Sequence, residues 1–428
     1  MSDETTAFTG ALDPSLPEAD TSPGGRAPAF GFIFLSAIMG AMTIGIMVPI
    51  LPSLLKQFVG GDSAVASEWN VLFATCGGLM SFFFGPILGL LSDRYGRRPV
   101  LLISLFGLGL DFLFMAFAPT LAWLFIGRLI SGATSGLFST ANAYVADVTP
   151  PQDRARAFGW MGSAFGFGFL AGPAIGGLLG NYSLRLPFLV AAVITLLNAM
   201  YGLLVLPESL SPEKRIKSFD WRRANPVGSL KLLRSHPDLW RLAIVSFLVQ
   251  FGQMLWPSIF VLYTSYRYNW TPMTTGLLMM AGSALGIAVQ SFITGPFVKR
   301  YGERTALVTG ATSMMLAMIW YGTAPTGWLY MLGMPIGVLG NLMIPGLQGL
   351  MTSHVGPSEQ GQLQGANQSI IGISSVCGPV LFGLSFAWAV HHPEWHVPGI
   401  GQYLAAAIMG LAILLAMGEA KPRNHTKG

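Results

Sequence analysis

Twelve long apolar runs follow one another along the chain, at about 29–51, 69–91, 99–118, 121–145, 157–180, 186–206, 240–264, 273–297, 304–322, 328–351, 362–388 and 398–417. Each approaches the roughly 20 apolar residues that an α-helix needs to cross a bilayer. The runs are continuous, which excludes a membrane β-barrel, whose strands alternate in polarity over about 10 residues. Only 10% of the residues are charged, whereas soluble domains carry about 25%. The expected fold is an all-α membrane protein with twelve transmembrane helices in two six-helix bundles. Its parts are a disordered cytoplasmic tail (1–28), an N-terminal bundle (29–206), a cytoplasmic linker (207–239), a C-terminal bundle (240–417) and a short cytoplasmic tail (418–428).

Charge orients these helices. Of the 24 Lys and Arg, only Lys56, Arg185 and Arg267 fall in loops on one side, and Arg128 falls inside a span. The other 20 lie on the opposite side, which the positive-inside rule makes cytoplasmic, together with both termini. Trp69, Trp123, Trp270, Trp328 and Trp395 then fall near outer helix ends, where interfacial aromatics belong. The net charge of +5 is a topology signal and shows no basic face for nucleic acid. Cys76 and Cys377 both lie in apolar runs, so neither a disulfide framework nor a zinc site is expected. No basic region precedes the first run, and no cleaved signal peptide is expected.

The two halves repeat at an offset of 206 residues. Arg94-Tyr95-Gly96 matches Arg300-Tyr301-Gly302, Ala118-Pro119-Thr120 matches Ala324-Pro325-Thr326, and Gly172-Pro173 matches Gly378-Pro379. Six helices per half make the repeats parallel, an arrangement transporters use to rock two bundles about a central site. Duplication in a channel or membrane enzyme is the alternative.

Several motifs carry chemistry. Gly89-Leu-Leu-Ser-Asp93-Arg94-Tyr95-Gly96-Arg97-Arg98-Pro99 packs a carboxylate, a glycine turn and three guanidiniums into one tight loop. Asp93 there can pair with arginines. Gly168-Phe-Leu-Ala-Gly172-Pro173-Ala-Ile-Gly176-Gly177 places glycines four apart, so another helix can approach closely. Asp111 is the only carboxylate deep in a span. Burial penalises its charged form, which suits proton carriage; the alternative is a structural partner for an arginine. Asp111 and Arg128 lie about eight residues either side of a turn at Pro119-Thr120, hence at one depth, roughly 12 Å from the hairpin's end. Asp147, at the inner end of the fourth helix, fits a gating network with Asp93, Arg97 and Arg98. Gln250, Gln253, Trp256, Gln290, Asn341, Gln348 and Asn367 are candidates to line a central cavity, with interhelical hydrogen bonding as the alternative for the amides. His391, His392 and His396 lie in an outer loop with spacing unlike a metal site.

The loop around Asp93 resembles the signature of the major facilitator superfamily. The glycine run with Pro173, and Arg128, resemble that superfamily's drug/H+ antiporter branch. Leu110-Asp111-Phe, Gly-Glu303-Arg-Thr-Ala, Leu347-Gln348-Gly-Leu-Met and Gln360-Gly-Gln-Leu-Gln-Gly365 are similar to bacterial tetracycline/H+ antiporters. The likeness spans about 29–417. It implies that Asp93, Arg97, Asp111, Arg128, Asp147 and Gln290 match positions important in that family. It also implies polar groups that this chain lacks: Gly40, Ser81, Gly286 and Met314 stand where that family has an acid, a glutamine, a histidine and an aspartate. Those positions handle the tetracycline–metal complex and protons there, so tetracycline itself is not the expected substrate.

The expected function is a proton-coupled exporter of a small amphiphile in a bacterial inner membrane. It would act as a monomer by alternating access, with protons and lipid as partners and neither cofactor nor metal. Proton-coupled nutrient import and a non-transporting sensor or scaffold are the alternatives. No nucleotide-binding loop or enzymatic constellation is present.

Overall fold

The structure, a computed structural model, describes residues 26–150, 153–216, 237–355 and 360–418. Residues 1–25 of the expected tail, the linker's 217–236 and the tail's 419–428 lie outside the described residues. Every regular element among the described residues is helical. The N-terminal half holds α1 (Arg26–Phe58), α2 (Ser63–Tyr95), α3 (Arg97–Phe117), α4 (Leu121–Ala133 continued by Leu137–Val148), α5 (Arg154–Tyr182) and α6 (Leu186–Val205). The C-terminal half begins with α7 (Pro237–Gln253 continued by Leu255–Tyr268) and α8 (Pro272–Ala288, a π-helical turn Val289–Thr294, then Gly295–Tyr301). It continues with α9 (Glu303–Thr323), α10 (pieces from Gly327–Leu332 to Met343–Ser353), α11 (Gln360–His391) and α12 (Ile400–Met417).

Eleven of these segments are long and apolar enough to cross a membrane. The twelfth expected span is α9, also 21 residues long, but diluted by Glu303, Arg304 and a series of threonines and serines. Its place is set by packing against α10 and α12.

The internal repeat survives in the backbone. Helices α3 and α9 each run 21 residues from equivalent positions, 97 and 303. Each is entered through a glycine in the left-handed region, Gly96 at φ 113° and Gly302 at φ 81°. Only glycine takes that conformation without steric cost, so it folds the α2–α3 and α8–α9 corners tightly. Asp62 caps α2, accepting from the Ala64 and Val65 amides at 2.8 and 3.2 Å, which satisfies donors the helix leaves open.

We call the face holding Arg26 and Gly418 the terminal face and its opposite the far face. Toward the far face the two halves touch along two helix pairs. In one, Gly177 of α5 packs on Pro272 and Met273 of α8, and Gly276 of α8 packs on the Pro173 carbonyl. In the other, Ser67 of α2 donates to the Gly383 carbonyl of α11 at 2.8 Å. Asn70 adds a bond to the Ser258 carbonyl of α7 at 2.8 Å, and Lys56 reaches Ser265 Oγ at 3.3 Å. Toward the terminal face the partners separate: Gly159, Gly162 and Gly166 of α5, and Gly85 and Gly89 of α2, have open space where a Cβ would stand.

Candidate functional site

The divergence of the two halves leaves a cavity of about 1390 Å³ between α1 and α5 on one side and α7, α8, α9 and α10 on the other. Three of those helices are interrupted. Helix α7 breaks at Met254, α8 carries the π turn, and α10 passes through a 3-10 turn at Leu339–Leu342. Broken helices at mid-membrane free backbone and re-aim side chains, which suits a binding site. Of the seven expected lining residues, Gln253, Trp256, Gln290 and Asn341 line the cavity.

Gln250, Gln348 and Asn367 are not among its lining residues. Gln348 stands two turns beyond Asn341 on α10, roughly 10 Å further toward the terminal face. Gln250 lies nearly one turn before Gln253. The Asn367 amide oxygen on α11 is buried without a hydrogen-bond partner.

The cavity's closed end is aromatic. Tyr321 and Tyr330 stack with ring centroids 4.3 Å apart, Trp256 meets Tyr321 edge-on at 5.6 Å, and Phe260 packs beside them. Phe167 and Phe169 of α5 also line the space. Sequence reasoning singled out Trp256 but missed Tyr321 and Tyr330, because nothing in spacing shows that α9 and α10 bring them together.

Next to this cavity, and sharing Met47, Val48 and Pro257 with it, is a smaller compartment of about 280 Å³. Its wall carries Arg128, with Asn70, Ser81, Ser131 and Ser135. Asp111 and Arg128 form a buried ion pair there. The Arg128 Nε donates to Asp111 Oδ1 at 3.1 Å, and a second guanidinium nitrogen meets Oδ2. The Asp111 side chain is 0% exposed and that of Arg128 13%. Gly127, one residue before Arg128, leaves room for the carboxylate: a Cβ there would stand 2.9 Å from Asp111 Oδ1. The arginine's other arm reaches Met47 Sδ at 2.9 Å, so α1 touches both the ion pair and the cavity. The repeat offset puts Ala317 and Met334 at the equivalent positions of the second half, so the pair belongs to the first half alone.

Of the expected network at the terminal face, Asp93, Arg97 and Asp147 come together and Arg98 does not. Arg97 pairs with Asp93 and with Asp147 Oδ2 at 3.0 Å, and donates to Ser92 Oγ at 3.1 Å. Arg98 turns away, donating to the Leu203 carbonyl at 2.6 Å, and so closes the end of α6. All of these partners lie in the N-terminal half.

A carboxylate that the sequence did not single out completes the network. Glu208 Oε1 accepts the Arg97 amide at 2.8 Å and Oε2 the Arg98 amide at 3.2 Å, capping the positive end of α3. It also takes the Ser209 and Leu210 amides, each at 3.0 Å. The first part of the linker is thus docked on the motif loop. Glu208 is separated from Arg97 by 111 positions; the only signal was an acid directly after an apolar run. We expect Glu208→Ala to cost about 1–3 kcal/mol of stability, since several amides lose their acceptor together. Thermal unfolding in detergent checks this, and an unchanged transition would contradict it.

The helix 5 motif has a packing role. Gly168, Gly172 and Gly176 lie on one face of α5 against Ala41, Met42, Gly45 and Ile46 of α1, while Gly177 and the Pro173 carbonyl face α8. The glycines let α5 press between the two halves where they meet.

Of the family-like positions that differ here, Gly286 and Met314 line the central cavity and Ser81 lines the smaller compartment. Gly40 is buried under Leu137 and Phe138. His391 and His396 are exposed. Among the described residues no group of three or more His, Cys, Asp or Glu is placed to hold a metal.

Two pseudo-equivalent bundles of membrane-spanning helices, with a cavity at their seam that opens toward one face, define a secondary-transporter architecture. The sequence profile of the Major Facilitator Superfamily matches residues 33–379 and 255–428, and the chain belongs to that superfamily. It is 37% identical to the tetracycline resistance protein, class C, of Escherichia coli, over 87% of this chain and 94% of that one. It is 33% identical to the class H protein of Pasteurella multocida, over 88% and 94%. Multidrug resistance protein 2 of Bacillus subtilis (strain 168) is 28% identical over 84% and 90%. Among solved structures, a bacterial homolog of the human lysosomal transporter Spinster, inward-facing and occupied, aligns with TM-score 0.72 at 14% identity, over 92% of this chain and 96% of that one. The human organic anion transporter MFSD10 aligns at 0.65 and 21% identity, over 91% and 98%. The protein is therefore a multi-pass membrane protein of a transporter family.

Proposed function

We propose that this protein is a proton-coupled antiporter that exports a small amphiphilic molecule across a bacterial inner membrane by alternating access. The observation that carries the reading is the central cavity beside the buried Asp111–Arg128 pair. The excess of Lys and Arg on the terminal face supports a cytoplasmic assignment for that face. The conformer described is then inward-facing, held by the α5–α8 and α2–α11 contacts at the far face.

In this reading Asp111 is the proton site. Its carboxylate cannot both pair with Arg128 and carry a proton, so protonation releases the arginine. Arg128 and Met47 touch, and Met47 lines the substrate cavity, so a change in the pair reaches α1 and the bound molecule. The network of Asp93, Arg97 and Asp147, braced by Glu208, keeps the α2–α3 corner rigid at the face that must open and close, while Arg98 ties that corner to the end of α6. The antiport direction is supported by the tetracycline and multidrug resistance relatives.

Purified protein in liposomes tests this. With an imposed pH gradient, substrate should accumulate on the acidic side, and collapsing the gradient with an ionophore should abolish accumulation. Accumulation that persists without the gradient would overturn the reading. Because Gly286, Met314 and Ser81 leave the cavities without the family's polar groups, expression in a sensitive host should raise tetracycline tolerance little or not at all. A robust rise in the minimum inhibitory concentration would contradict that expectation.

A further inference from the structure

Among the described residues, the lining of the central cavity carries no charge. Among its described lining residues there is no Asp, Glu, Lys, Arg or His. The polar groups are the amides Gln253, Gln290 and Asn341, the phenols Tyr321 and Tyr330, and three serines, Ser163, Ser283 and Ser291. Arg128, in the wall of the neighbouring compartment, is paired with the buried Asp111.

Two of the positions where the tetracycline family carries an ionisable side chain face this space as Gly286 and Met314. At the first, the Asn341 amide stands close by: a Cβ on Gly286 would lie 3.2 Å from Asn341 Nδ2. That amide donates to the Val338 carbonyl at 2.8 Å, which leaves its oxygen as the side chain's acceptor. An uncharged hydrogen-bonding group therefore stands where a titratable one would.

From this we propose that the transported molecule is an uncharged, metal-free planar aromatic. It would lie against the exposed ring of Phe167 and the half-buried ring of Trp256, which the Tyr321–Tyr330 stack backs from behind, with its polar rim read by Gln253, Gln290 and Asn341. The proposal rests on the reading of this cavity as the transport site. A flat ring gains from stacked and edge-on aromatic neighbours. Amides donate and accept at once, so they suit carbonyl and hydroxyl groups on a ligand's edge. A cation gains something from the aromatic faces, but once the cavity occludes it has no counter-charge to replace its water. A metal chelate has the same deficit and finds no carboxylate or imidazole to bind.

The test uses two probes of one ring size, acridone, which is uncharged, and N-methylacridinium, which carries a fixed charge. Saturable binding to the full-length protein is measured in detergent without any gradient. Acridone should bind at least about tenfold more tightly than the cation, and EDTA should leave its affinity unchanged. Gln290→Glu, a near-isosteric change that adds one carboxylate to the lining, should reverse the order of the two probes. Equal or tighter binding of the cation by the native protein, dependence on magnesium, or no saturable binding of either probe would overturn the proposal. Because binding is read without a gradient, the antiport reading fails separately: the affinity order would hold while an imposed pH gradient drives no acridone flux.

Discussion

Replacing Asp111 by asparagine should abolish gradient-driven transport and destabilise the protein by about 3–5 kcal/mol, the usual cost of breaking a buried ion pair from one side. The side chain is wholly buried, and Arg128, only 13% exposed, would be left with a charge that neither water nor protein compensates. The double variant Asp111→Asn, Arg128→Gln separates two roles. It removes the orphan charge, so thermal stability should return most of the way to the native value. Transport should not return, because no carboxylate is left in the span to take a proton. If the pair were only structural, the double variant would recover both. Turnover of the single variant at the native rate would dismiss Asp111 as the proton site.

The second large effect is expected at Gly276. A Cβ there would meet the Pro173 carbonyl of α5, and backbone does not move aside as a flexible side chain does. Gly276→Val overpacks the α5–α8 seam, at a cost of about 1–3 kcal/mol. The cost falls on the conformer whose far face is closed, so at its upper end the population of that conformer drops about a hundredfold. We expect transport to fall by at least about tenfold while the protein still inserts and purifies. The sign is checked by accessibility: a cysteine at Asn70, buried in the native structure, should become reactive to thiol reagents in the Gly276→Val background. A residue on the open side and outside the cavity lining, such as Gly85, should tolerate alanine with transport unchanged, since nothing lies within 4 Å of its Cβ position.

Much of this architecture was legible in the sequence because the bilayer imposes simple rules. Length and continuity of the apolar runs mark the spans, and the repeat offset of 206 positions α3 and α9 at equivalent bounds. The depth of Asp111 and Arg128 followed from counting residues either side of the Pro119-Thr120 turn. Depth does not fix rotation about a helix axis, and that is where sequence reasoning ended. It could not separate Gln253 and Asn341, which line the cavity, from Gln250 and Gln348, which do not. Nor could it bring Glu208 to the α3 N-terminus, because that contact joins segments 111 positions apart. The aromatic end of the cavity was hidden for the same reason: Tyr321 and Tyr330 stack only because a turn at Pro325 folds α10 back on α9.

The central claim, that the two halves exchange contacts at opposite faces under control of Asp111, is tested most directly by electron–electron distance measurements on α2 and α11. One pair of spin labels replaces Glu68 and His391 at the far face, and the other replaces Tyr95 and Gln364 at the terminal face; all four positions are exposed. Between mildly alkaline and mildly acidic buffer, one distance should lengthen as the other shortens. In the Asp111→Asn background neither distance should respond to pH. Distances that ignore pH in the native protein, or that move in the same sense at both faces, would contradict the account.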